Sequence, residues 1–262
     1  MNSNTDSEIA LPQQGKSVVM VLRFVIGQAF TLVYWPTAVL SMIAVSLVSR
    51  VFLDRDAHRR LGQWALGKSL GMFIGGLEML GIIRVSDEDL RKHADDAGPL
   101  IIACNHPALW DVALVIRRFM QLSCIMKEDV LENPLLRNGA LFAGFLPNSP
   151  RLKMIRLALD RLAGGGRLLL FPEGTRTRAE NGVLNPFRPG LALLAKQSGA
   201  PILPVFISSE SRYLQKNWPI WRMPDLPVAV SMRVGERIQI RPDEKVRDFS
   251  ERLEGIFRKE LG

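Results

Sequence analysis

Cysteine is scarce in this sequence. Its two residues, Cys104 and Cys124, cannot build a disulfide framework, which points to a reducing compartment. Histidine is nearly as rare: His58, His93 and His106 show no metal-ligand spacing, so no metal site is expected. The chain carries no aromatic RNA-binding signature, metal-finger spacing or recognition helix, so nucleic acid is not the expected partner despite a net charge of +8. Residues Met1 to Gln14 lack the basic start and short apolar core of a cleaved signal peptide, and 1–17 reads as a disordered N-terminus. Internal repeats and low-complexity linkers are absent as well.

What is present is a basic balance, with a sequence pI of about 9.9, which suits an anionic lipid surface. Phe24 to Ser49 contains no charged residue. As a helix it would run about 39 Å, enough for a bilayer's hydrocarbon core. Pro36 interrupts it, so a kinked or re-entrant helix is expected as readily as a straight span. Basic residues flank both ends, giving no clear orientation. The plain alternative is a buried core helix. Leu61 to Ile83 reads as its partner: Leu66, Leu70, Phe73, Ile74 and Leu77 share one face, and Gly67, Gly71 and Gly75 recur every four residues on another. Such small-residue spacing lets helices approach closely, so the glycines are expected to pack on the first helix. Segment 18–81 is thus expected to be a membrane-associated helical pair.

From residue 82 to 262 the pattern alternates. Strands are expected near Ile82–Val85, Leu100–Cys104, Ser123–Met126, Arg167–Phe171, Ile202–Ile207, Val228–Val234 and Arg237–Ile240. Helices are expected near Leu109–Met120, Pro134–Ala143, Arg151–Ala163, Leu191–Ser198 and Asp243–Leu261. The fold class that follows is α/β: a mixed, largely parallel sheet covered by helices, preceded by the N-terminal membrane-associated two-helix motif.

Two strand ends carry reactive groups. After Leu100–Cys104 comes Asn105-His106-Pro107-Ala108-Leu109-Trp110-Asp111, which puts a carboxylate about one turn into the next helix. Imidazole can take a hydroxyl proton near neutral pH, and a carboxylate can fix its tautomer. Alone, the pair reads more readily as a structural histidine and a helix-start aspartate. Cys104 is a rival nucleophile, though a cysteine inside a strand is usually an inert small hydrophobe. After Leu168–Phe171 comes Pro172-Glu173-Gly174-Thr175-Arg176.

The pairing of these two motifs resembles the glycerolipid acyltransferases, whose founding member acylates lysophosphatidic acid. The resemblance covers about Leu80 to Val234. It implies that His106 deprotonates a lysolipid hydroxyl, steadied by Asp111, and that the oxygen attacks an acyl thioester directly. Glu173, Gly174, Thr175 and Arg176 would hold the acceptor, with Lys127 and Arg188 assisting and Arg178 nearby. Glu173 is expected to orient Arg176 or an acceptor hydroxyl. Backbone donors near Leu109 are the expected oxyanion stabilisers.

The implied partners are a lysolipid acceptor and an acyl thioester donor, acyl-CoA or acyl carrier protein, with no further cofactor. The expected location is the inner (cytoplasmic) membrane, with the catalytic domain on its cytoplasmic side. The default acceptor is 1-acylglycerol 3-phosphate, giving phosphatidic acid. Gly144 to Ser149 departs from the pattern, carrying no arginine where one is expected, with Arg151 just beyond. Another hydroxylated lipid acceptor (an amino-acid lipid, a glycolipid or a polyene) is therefore the alternative. The reading from a different class is a non-catalytic basic membrane scaffold.

Overall fold

In the computed structural model, which describes residues 17–94, 96–219 and 221–262, two long helices come first. They are α1 (Val18–Phe52) and α2 (Arg55–Met79). The expected disordered N-terminus lies outside the described residues apart from Ser17. Then follow β1 (Ile83–Ser86), α3 (Glu88–Lys92), β2 (Leu100–Cys104), α4 (Asp111–Ile116), β3 (Leu122–Met126), α5 (Glu128–Glu132) and α6 (Pro134–Phe142). The chain continues through β4 (Leu146–Pro147), α7 (Arg151–Ala163), β5 (Arg167–Leu170), α8 (Gly190–Ser198), β6 (Ile202–Ser209), β7 (Val228–Val234) and α9 (Val246–Leu261). The sheet order is β1-β7-β6-β2-β5-β3-β4. Every neighbouring pair is parallel except β6 with β7. The architecture is thus a mixed, largely parallel sheet with helices on its faces.

Strands buried on both faces read as continuous aliphatic runs, which is why Leu100–Cys104 is buried at every position. One apolar cluster joins Leu70, Phe73, Ile74 and Leu77 of α2 to Ile102, Cys104, Leu203 and Val205 on one face of the sheet. The other face is closed by α7, α8 and α9, the last burying Phe249, Leu253 and Phe257 from a single stripe. In the central register Ala103 lies opposite Leu170. The segments leaving β2 and β5 therefore emerge side by side at the carboxyl edge, where open α/β sheets gather their ligands.

Several expectations change. Pro36 does not break α1, which is continuous for 35 residues, about 53 Å. Beside it, Thr37 Oγ1 donates to the Val33 carbonyl at 3.0 Å. The core-helix alternative fails, because side chains such as Leu32, Val33, Leu40 and Phe52 stand exposed along α1.

The glycine stripe points elsewhere than expected. A Cβ on Gly67 would meet the Ile116 carbonyl at 3.3 Å, and one on Gly71 the Arg117 side chain at 3.9 Å, so these residues face the end of α4 rather than α1. Close approach to α1 falls to Gly76, where a Cβ would lie 2.5 Å from the Phe30 ring. Tyr34 and Trp35 pack with Phe30 around Phe73.

The expected helix Leu109–Met120 shortens to α4, and just past its end Arg117 and Arg118 both bond the buried Asp87, at 2.6 Å each. The expected strand Arg237–Ile240 reduces to one bridge, Ile202 with Ile238. Extending that antiparallel ladder would require Pro204 to donate a backbone bond, and proline has no N–H.

Candidate active site

Asp111 opens α4 rather than lying a turn inside it, and it is 1% exposed. Its Oδ2 accepts from the Ala108 backbone N–H at 2.7 Å and lies 2.8 Å from His106 Nδ1. One carboxylate oxygen thereby shapes the loop and fixes the imidazole. An ionised Asp111 receives the proton of Nδ1, which leaves Nε2 as the basic nitrogen. Burial pushes the Asp111 carboxyl above the ordinary aspartate range, against the opposing pull of His106, the Ala108 amide and Arg176. The His106 ring stacks on Phe171, centroids 4.2 Å apart.

Glu173 does not orient Arg176. It is 2% exposed and turned inward. Its Oε1 accepts the backbone N–H of His106 at 2.7 Å, and its Oε2 accepts Asn185 N at 2.8 Å and Thr177 Oγ1 at 2.9 Å. Thr177 N donates in turn to the His106 carbonyl at 2.7 Å. The two motifs are thus sewn together through their backbones. Burial raises the Glu173 carboxyl, while the bonds from Asn185, His106 and Thr177 pull it back. Only a left-handed residue fits at Gly174 (φ 67°), where a Cβ would come within 2.7 Å of Arg188 Nε.

His106 lines a cavity of about 1120 Å³ that runs from the sheet edge to α1. Gly174, Thr175, Arg176, Lys127 and Arg188 line it too, so the structure brings all the expected acceptor-binding residues except Glu173 to one space. Arg151, at the start of α7, reaches the same cavity. Arg178 instead lines a separate pocket. Arg176 Nη1 donates to the Leu214 carbonyl at 3.0 Å, which holds the guanidinium against the segment after β6. The apolar part of the lining comes from Phe24, Trp35 and Val39 of α1, Leu66 and Phe73 of α2, and Ile116 of α4.

Three of the backbone donors near Leu109 are already occupied. The backbone amides of His106, Ala108 and Leu109 are committed to Glu173, Asp111 and the Leu214 carbonyl. Cys104 is fully buried and its thiol is pushed well above its ordinary value, chiefly by that burial, which removes it as a nucleophile. Among the described residues no three His, Cys, Asp or Glu side chains gather to hold a metal. Sequence reading missed Asn185, whose Nδ2 donates to the Arg176 carbonyl at 3.1 Å while its Oδ1 accepts Arg178 N. It also missed Asn105, whose side chain bonds both the N–H and the carbonyl of Ile207.

A family model described as "Acyltransferase" matches residues 82–208. The 1-acyl-sn-glycerol-3-phosphate acyltransferase of Saccharomyces cerevisiae is 23% identical over 84% of this chain and 75% of its own length. Residues 82–208 thus form an acyltransferase domain. As an O-acyltransferase it requires a hydroxyl acceptor and an activated acyl donor. It shares its fold with the crystallised 1-acyl-sn-glycerophosphate (LPA) acyltransferase PlsC from Thermotoga maritima: the TM-score is 0.69 at 20% identity, over 92% of this chain and 94% of that one. The lyso-ornithine lipid O-acyltransferase of Pseudomonas aeruginosa is 33% identical, over 48% of this chain and 47% of its own length.

Proposed function

We propose that this acyltransferase moves a fatty acyl group from acyl-CoA or acyl carrier protein to the free hydroxyl of 1-acylglycerol 3-phosphate at a membrane surface, forming phosphatidic acid. The observation that carries this reading is the His106–Asp111 pair opening onto an apolar cavity that extends to the uncovered helix α1.

In the proposed step, His106 Nε2 takes the acceptor's hydroxyl proton while Asp111 stabilises the resulting imidazolium. The alkoxide oxygen attacks the thioester carbonyl, the carbon–sulfur bond breaks, and the departing thiolate takes up the proton. Arg176 grips the acceptor phosphate by a bidentate contact, with Lys127, Arg151 and Arg188 adding charge around it. Gly174 and Thr175 let the acceptor approach the backbone. Glu173 holds the two catalytic segments in register rather than touching the lipid. An acyl chain fits the apolar stretch between α1, α2 and α4.

Helix α1 is the membrane-facing element of this proposal. Its length and exposed aliphatic side chains suit a hydrocarbon environment, and its hairpin with α2 keeps the cavity mouth at the interface. The inner membrane, with the sheet on the cytoplasmic side, fits the reducing compartment inferred from the free cysteines. The segments 18–81 and 82–262 are read as anchor and catalytic parts, α2 belonging to the cores of both.

The second reading keeps the chemistry and changes the acceptor to another lysolipid. It is favoured by the absence of arginine between Gly144 and Ser149 and by the similarity to the lyso-ornithine lipid enzyme. Purified full-length protein, supplied with labelled acyl-CoA or acyl carrier protein and a panel of lysolipids, separates the two. Transfer to lysophosphatidic acid supports the first, and transfer only to other lysolipids the second. No transfer with either donor defeats both and leaves the non-catalytic scaffold.

A further inference from the structure

The segment between β6 and β7 forms a second pocket, about 500 Å³, that the proposed chemistry does not use. Four cationic side chains, Arg178, Arg212, Lys216 and Arg222, line it against one carboxylate, Glu180. Glu180 spends part of its charge on Arg178 at 3.2 Å, and both partners of that pair are well exposed. The remaining cations give the pocket a strongly positive field.

Trp218 completes the lining, and it is not loose. Its indole N–H donates to the Arg222 carbonyl at 3.1 Å, the Arg222 guanidinium sits 4.8 Å above its ring, and the Tyr213 ring meets it edge-on at 6.2 Å. Tyr213 in turn stands edge-on to Trp110, centroids 5.4 Å apart, and Trp110 immediately precedes Asp111. The same segment accepts the Arg176 guanidinium on its Leu214 carbonyl, and Lys216 lines both this pocket and the large cavity. The two spaces therefore share one side.

We propose that this pocket binds the phosphate-bearing nucleotide end of the acyl donor, so that the thioester arm passes from it over Lys216 to His106. The inference rests on the thioester-donor reading above and adds which carrier is used: coenzyme A. A nucleotide carrying several phosphates offers oxygens to guanidinium groups, which bind them in a fork, and an aromatic base to Trp218. The concavity decides against an acidic carrier protein, whose helix would need an open basic surface, whereas about 500 Å³ lies within the range of small-molecule sites.

The test uses the full chain in detergent and the double variant Arg212→Ala/Arg222→Ala. Two readouts are needed: calorimetric binding of adenosine 3′,5′-bisphosphate, and KM for acyl-CoA beside that for an acyl-N-acetylcysteamine, which has the thioester but no nucleotide. Wild type is expected to bind the bisphosphate. The variant should bind it roughly tenfold or more weakly and show a KM for acyl-CoA raised by a similar factor. Transfer from the truncated donor should be unchanged.

Equal bisphosphate binding by the two proteins, or none by wild type, overturns the assignment. So does an equal loss with both thioesters, which would mark a structural role. If neither thioester supports transfer while bisphosphate binding still falls in the variant, the acyltransfer reading fails and the nucleotide site stands.

Discussion

Glu173 Oε1 lies 2.7 Å from the backbone nitrogen of His106, a carboxylate bonded to the main chain of the very residue whose side chain is the proposed base. Both Glu173 oxygens face donors: the His106 N–H on one, Asn185 N and the Thr177 hydroxyl on the other. Glutamine would put an amide NH2 where an acceptor is required, leaving a buried donor facing a donor at a cost of about 1–3 kcal/mol. Glu173→Gln is therefore expected to behave nearly as badly as Glu173→Ala. Steady-state kinetics should show kcat falling by an order of magnitude or more with acceptor KM little moved. A rise in KM alone would return Glu173 to the acceptor site.

His106→Ala should abolish transfer, by roughly a thousandfold or more, while the circular dichroism spectrum stays that of the native fold. Asp111→Asn keeps the shape but cannot receive the Nδ1 proton, so the other tautomer is favoured and the basic lone pair leaves Nε2. Single-turnover assays should show a loss of about a hundredfold or more. Cys104→Ala, at a fully buried position, should leave turnover within about twofold of wild type. A loss comparable with that of His106→Ala would revive a covalent intermediate.

Strand ends were legible because β2 and β5 are aliphatic runs that stop at proline-containing motifs, and α7 because its amphipathic repeat opens just after Pro150. Periodicity says which residues share a helix face but not what that face meets. Gly67, Gly71 and Gly75 were thus readable as a stripe, while the end of α4, which Gly67 and Gly71 face, was not. Arg117 and Arg118 gave no hint that Asp87, thirty residues earlier, would draw both side chains. Glu173 was conspicuous in its motif, yet its partners arrive from Asn185 and from the other motif's backbone. Long-range hydrogen bonds of that kind leave no spacing signal in one sequence. The pocket at Arg212 and Arg222 had no sequence signal, because its concavity arises only where that segment folds back beside Arg178.

Gly75 and Gly76 form an internal control on α2. A methyl at Gly76 would press into the Phe30 ring, 2.5 Å away, whereas nothing lies within 4 Å of a methyl at Gly75. Gly76→Ala should wedge α1 from α2, distort the α1 side of the cavity and lower the melting midpoint by several degrees in detergent. Gly75→Ala should leave that midpoint unchanged or raise it, by up to about 1 kcal/mol of helix propensity. Equal effects at the two positions would show that α1 is not packed on α2 through Phe30.

Glu244 supplies a pH test of the other face of the sheet. Its bonds with Arg252, at 2.8 Å to each carboxylate oxygen, hold its carboxyl down to about 2 from an ordinary 4.5. A carboxyl whose folded value lies below its unfolded value favours the fold above the unfolded value, and that contribution drains away as pH falls from about 4.5 toward about 2. The pair lies near the surface, so solvent screening reduces its worth to about 1 kcal/mol, or roughly 2–4 °C in melting midpoint for a chain of this size. Glu244→Gln should therefore melt a few degrees below wild type at pH 7, and the gap should shrink to about half or less as the measurement approaches pH 3. Arg252 also donates to the Gln239 carbonyl at 3.1 Å, so it stays anchored in the variant and the difference reports the carboxylate itself. A gap that persists unchanged at pH 3 would mean that Glu244 contributes through packing rather than through its charge.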